Sequence, residues 1–171
     1  MADDAQHPWV RGRLRIARDV LDRVAEHACE GYARDEESCG FLSGPLDPWD
    51  RVDRTIPMIN RANKLHALDP IAYPRTGRMY FDIDSLKFQQ SIDQGIADAY
   101  PVKVLYHSHL DVGAYFSETD AAVAKMGADA PPFALCYLVA SVRGREVDDH
   151  KLFVWNPNAA CFDESSFEVV D

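Results

Sequence analysis

The uncharged run Phe133–Val142 (FALCYLVASV) sets the terms for this chain. Apolar side chains on nearly every position, over too few residues to cross a bilayer, read as a central strand of a sheet. Such a strand needs neighbouring strands and helices packed over it, and the rest of the sequence supplies both. Leu14–Ile16 is a short apolar stretch that fits an edge strand. Arg18 to Ala33 is an amphipathic helix, with Val20, Leu21, Val24, Ala25, Ala28 and Tyr32 at helical spacing and Asp22, Arg23, Glu26 and Glu30 elsewhere. Ser38–Ser43 has a buried-strand pattern closed by Gly44-Pro45, and a second strand covers about Arg51 to Ile59. Asn60 to Tyr80 reads as a long irregular stretch, of the kind usually tied to function. Asp82 or Asp84 can cap a helix from about Asp84 to Ala99, with Phe88, Ile92, Ile96 and Ala99 on its apolar face. Val102–Tyr106 is a strand ending in His-Ser-His, and a third helix covers about Glu118 to Met126. Arg143-Gly144-Arg145 turns the chain into a return strand at Lys151–Trp155, and Phe167–Val170 adds a last short strand. The order β-α-β-β-α-β-α-β-β implies an α/β (mixed α+β) fold, a mixed sheet with helices packed on it.

Charge and cysteines narrow the function. The net charge of −10 opposes non-specific nucleic-acid binding, which needs a basic surface to displace phosphate counterions, and opposes a polybasic membrane contact. Cys29, Cys39, Cys136 and Cys161 contain no CxxC pair, so a cysteine zinc site or a redox pair is not expected. Cys39 and Cys136 sit in apolar runs as small core residues, and a reducing, cytoplasmic setting fits them. The N-terminal segment MADDAQHPWVRGR lacks the apolar region of a secretory signal; residues 1–11 read as a flexible polar leader.

The segment from His107 to Asp120 carries the chemistry. Residues i and i+2 of a strand share a face, so His107 and His109 project together from a strand end, as a pair of zinc ligands can. Ser117 and Asp120 stand three apart in the first turn of the next helix and share a face. Asp120 there can swing back as a third ligand. Two His and one Asp leave one tetrahedral position open, the arrangement of a catalytic rather than a structural zinc. Each element also has a plainer explanation: an isolated His-x-His is often incidental, and Ser117-x-x-Asp120 resembles a capping box. What favours the metal is the density of polar groups, Asp111 included, because burying them without a ligand is costly. Glu37, at the head of an apolar strand, is the best candidate for a proton shuttle, since burial there raises a carboxyl toward the working range. Asp111 is either a brace for a ligand histidine or a solvated loop acid. His7, His27, His66 and His150 have no partner at ligand spacing. His66, Tyr73, Arg75, Arg78 and Tyr80, in the long 60–80 stretch, form either a wall that grips an extended tail or a plain surface loop.

At these residues the chain resembles the JAMM (MPN-plus) zinc metalloprotease family. His107-x-His109, seven residues, Ser117, two residues and Asp120 reproduce that family's downstream motif, and Glu37-Ser-Cys39-Gly40-Phe-Leu-Ser-Gly44 is similar to its glutamate strand. The likeness runs from about Leu14 to Trp155, most like the small stand-alone prokaryotic members. It implies an MPN/cytidine-deaminase-like three-layer fold over residues 12–171, a mixed curved sheet flanked by helices. It implies one zinc per chain held by His107, His109 and Asp120, with Glu37 moving a proton to the leaving amine and Ser117 hydrogen-bonding an oxyanion. The substrate it implies is a peptide or isopeptide bond at the C-terminal tail of a ubiquitin-like or sulfur-carrier protein, and it admits a homodimer. Leu110 and Phe116 depart from the family pattern, which usually has proline at both places. The rivals are a non-catalytic MPN-type binding scaffold and a peptidoglycan or phage-tail peptidase. A zinc deaminase would need His-x-Glu and Pro-Cys-x-x-Cys, and this sequence has neither.

Overall fold

In the computed structural model, which describes residues 5–171, the apolar run becomes β6 (Cys136–Arg143), in the interior of a six-stranded mixed sheet. Beside it lies β5 (Val102–Leu110), parallel to β6, in register from Val104↔Cys136 to Leu110↔Val142. Antiparallel β2 (Cys39–Ser43) and β4 (Arg54–Met58) extend the sheet on one side, and β7 (Glu146–Asn156) and β8 (Cys161–Ser165) on the other. A second, all-parallel sheet joins β3 (Arg51–Val52), β1 (Leu14–Ala17) and β9 (Phe167–Val170).

Strand alternation sorts the side chains into two cores, one on each face of the large sheet. Val104 and Tyr106 of β5, with Leu138 and Ala140 of β6, pack under α1 (Arg18–Ala33) through Val20, Val24 and Ala28. Leu105, Tyr137 and Val139 face the opposite way, onto Phe88 of α3 (Ser85–Ala97) and Ala124 of α4 (Glu118–Lys125). The result is three layers, helix–sheet–helices, as the resemblance implies. Gly40 lets the layers close: a Cβ there would lie 2.7 Å from the Tyr106 hydroxyl oxygen and 2.5 Å from the Ile56 carbonyl oxygen. The Tyr106 hydroxyl instead reaches His27 Nδ1 of α1 at 2.7 Å.

Several elements differ from the sequence expectation. The strand expected over Arg51–Ile59 is two strands in two sheets. Buried Lys103 explains the break: its Nζ donates to the carbonyls of Pro45 (2.6 Å), Trp49 (2.8 Å) and Arg51 (2.8 Å), turning the chain around a cation at Arg51. The stretch expected to be irregular from Asn60 to Tyr80 contains α2 (Ala62–Leu68), whose Ala62 N–H donates to Asn60 Oδ1 at 3.0 Å. Of α3's two candidate caps, Asp84 is the one used, accepting from Lys87 N–H at 3.1 Å. Within the segment read as a leader, Pro8–Arg11 form a 3-10 turn; Trp9 is buried and its Nε1 donates to the Ala134 carbonyl at 2.7 Å. Residues 1–4 of that segment lie outside the described ones. No helix among the described residues is long and apolar enough to cross a membrane.

Candidate metal and active site

The alternation that builds the core also delivers the histidines. Leu105 points to the α3/α4 side, and His107 and His109 follow on the same face as β5 runs out of the apolar core. Both are buried, with Nε2 atoms 3.1 Å apart. Asp120 meets them from α4: Oδ1 lies 3.1 Å from His107 Nε2 and Oδ2 3.2 Å from His109 Nε2. Among the described residues this is the one group of three His, Cys, Asp or Glu donors that converges. A tetrahedral zinc with bonds of about 2.0–2.1 Å sets its donors roughly 3.3–3.4 Å apart. Spacings of 3.1–3.2 Å around three nitrogen and oxygen donors fit that ion with little movement.

Hydrogen bonding orients the donors. His109 Nδ1 lies 2.8 Å from the Gly113 carbonyl, which only accepts, so in neutral His109 the proton is on Nδ1 and the Nε2 lone pair faces the cluster. Gly113 takes φ +91° to present that carbonyl, in a region that L side chains avoid. Phe81 stacks on His107 at 4.7 Å. Ser117 and Asp120 do form a capping box: Asp120 N–H donates to Ser117 Oγ at 3.0 Å, and Ser117 N–H to Asp120 Oδ2 at 2.8 Å. The cap and the metal geometry are therefore compatible, since the cap fixes the carboxylate that the histidines face. Burial alone would raise the Asp120 carboxyl, but His107, His109 and the Ser117 N–H outweigh it and hold it well below the usual range. The Ser117 hydroxyl accepts in the cap, and its own proton stays available to donate.

Glu37 stands two residues before Cys39, which pairs with His107, so the alternation places it on the histidines' face. Its backbone is pinned by Gly77 O at 2.6 Å and by Asn60 Nδ2 at 2.9 Å. The side chain is 4% exposed, and Oε2 has no hydrogen-bond partner. Burial, then the charge of Asp120, pushes this carboxyl well above the ordinary value. A carboxyl with a free lone pair and a raised proton affinity is suited to taking up and returning a proton.

Other residues complete the site. Asp111 braces no histidine: it accepts from the Tyr32 hydroxyl at 3.1 Å and pairs with Arg78 at 3.5 Å, and Gly113 does the bracing. Asn60, Phe81 and Gly113 were not legible from sequence, because their roles depend on a loop folding back onto strands far away in the chain. Phe116, where the family usually has proline, packs against Phe162 (4.6 Å), Phe153 (5.2 Å) and Tyr137 (5.4 Å), anchoring the loop before α4 by stacking. Leu110 is buried and extends β5 by one more pair, with Val142.

The chain is similar in sequence and fold to known proteins. The family model for prokaryotic homologs of the JAB domain matches residues 17–155. The CysO-cysteine peptidases of Mycobacterium tuberculosis and Mycobacterium bovis are 34% identical to the chain over 113 residues. The match covers 65% of this chain and spans 65% of the length of those relatives. A solution structure from Desulfitobacterium hafniense superposes with a TM-score of 0.66 at 20% identity, over 92% of this chain and 93% of that one. A JAB1/MPN domain protein from Archaeoglobus fulgidus superposes at 0.54 and 16% identity, over 93% of this chain and 99% of that one, a likeness of fold.

Proposed function

Because the chain belongs to the family of prokaryotic JAB-domain homologs, the JAMM/MPN group, we propose that it is a zinc metallopeptidase that cleaves the C-terminal tail of a ubiquitin-like or sulfur-carrier protein. The observation that carries this reading is the convergence of His107, His109 and Asp120 at tetrahedral donor spacing on the face that also bears buried Glu37. The complete donor set disfavours a non-catalytic scaffold. The CysO-cysteine peptidases among its relatives favour a carrier tail whose last residue is released.

When bound, zinc supplies Lewis acidity that polarises a carbonyl and makes water nucleophilic near neutral pH. In this reading His107, His109 and Asp120 would hold the ion. Glu37 Oε2 removes the proton from the attacking water. Ser117 Oγ donates to the carbonyl oxygen as negative charge develops on it, a contribution of about 3–4 kcal/mol by analogy with other oxyanion donors. The C–N bond then breaks, and the amine leaves with the proton that Glu37 returns.

The test is incubation of the zinc-loaded chain with ubiquitin-fold carrier proteins bearing C-terminal extensions after Gly-Gly, followed by intact mass. Loss of the extension at the Gly-Gly boundary is expected. Intact substrates throughout, from a chain that holds zinc, would leave the scaffold as the better reading.

A further inference from the structure

Beside the donor cluster lies an apolar cavity of about 590 Å³, walled by Phe81, Phe88, Leu105, Val123 and Phe133. Phe81 belongs to both places, since it also stacks on His107. Arg75 sits at the cavity's exposed edge. Its Nη1 donates to Thr119 Oγ1 at 2.9 Å, and its guanidinium carbon lies 5.6 Å from the Tyr80 ring centre. Thr119 immediately precedes Asp120, so the guanidinium is tethered one residue from a metal-facing carboxylate.

Both contacts of Arg75 are uncharged, and among the described residues it makes no ion pair. The nearby acids are engaged elsewhere: Arg61 holds Asp82 and Asp84, each at 2.7 Å. Arg78, the other arginine of this loop, is paired with Asp35 and Asp111. In a chain of net charge −10, a cation without a carboxylate beside the metal-facing residues is an open anion position. Its planar fork, with one N–H used by Thr119, suits a carboxylate.

We propose that Arg75 binds the free α-carboxylate of the residue being released, so that the site favours a tail with a free-acid end over a blocked one. The cavity then receives that residue's side chain. This inference rests on the peptidase reading above.

The test uses the zinc-loaded full chain and a ubiquitin-fold carrier whose Gly-Gly end is extended by a single cysteine, prepared as the free acid and as the C-terminal amide. A charge-assisted, forked contact predicts that the acid is favoured by about 10- to 100-fold in kcat/KM, chiefly through KM. Arg75→Met should collapse that ratio toward unity, and Arg75→Lys should keep part of it. The same two tails, as peptides bound to the Glu37→Gln variant, should show the same preference in Kd. Equal treatment of acid and amide by the wild-type chain, or a preference that survives Arg75→Met, overturns the role of Arg75 and leaves the peptidase reading standing. Cleavage of neither tail overturns both.

Discussion

Replacing Glu37 with Gln should slow the enzyme and stabilise the fold at the same time. The side chain is 4% exposed, one oxygen has no partner, and Asp120 adds a second negative charge nearby. An unsatisfied buried polar atom costs about 1–3 kcal/mol and a charged one more; an amide of the same shape still leaves a polar atom unpaired and removes only the excess due to charge, on the order of 1 kcal/mol. For a chain of this length that corresponds to a rise in Tm of roughly 2–4 °C in metal-free protein. Catalysis should fall about 10²- to 10⁴-fold, the usual contribution of a positioned general base. The pH dependence has a definite sign. The folded carboxyl has a raised pKa, so its contribution to stability is fully present below the unfolded value and is lost as pH rises through the folded one. The advantage of the Gln variant should therefore be absent near pH 4 and grow toward neutrality. Thermal unfolding of chelator-treated wild type and variant across that range, paired with tail-cleavage assays of the zinc-loaded forms, measures both effects. A variant that cleaves at the wild-type rate, or one that is less stable at pH 7 than at pH 4 relative to wild type, would refute the reasoning.

Two further substitutions separate roles that the structure combines. Asp120→Asn keeps an acceptor for the Ser117 N–H, so α4 should lose well under the ~1 kcal/mol of a deleted cap while zinc affinity falls sharply; Asp120→Ala should lose both, as paired unfolding and zinc-binding titrations would show. Lys103→Met leaves the carbonyls of Pro45, Trp49 and Arg51 without their donor and should cost about 3 kcal/mol in denaturant unfolding; an unchanged midpoint would mean those carbonyls find other donors.

What sequence resolves here is what depends on local periodicity and fixed spacing. The helix at Arg18–Ala33 follows from its apolar stripe, and the convergence of His107, His109 and Asp120 follows from strand alternation and one helical turn. Strand limits were less legible. β7 begins at Glu146, well before the apolar Leu152, because its first half (Glu146–Lys151) is itself mostly polar although it pairs with buried β6, and β8 is too mixed in character to stand out. The split between β3 and β4 depends on Lys103, a lysine some fifty residues away whose burial no pattern announces; burial lowers its pKa to about 8. The same limit applies around the site. Phe81 and Arg75 become neighbours of the histidine cluster only through long-range folding, and the brace on His109 is a glycine carbonyl, which no side-chain pattern marks.

Zinc content under mutation tests the central claim most directly. The full chain, purified without chelators, should contain about one zinc by elemental analysis, and His107→Ala and Asp120→Ala should each lose most of it. A wild-type protein free of zinc, or variants that retain it undiminished, would contradict the assignment of His107, His109 and Asp120 as its ligands.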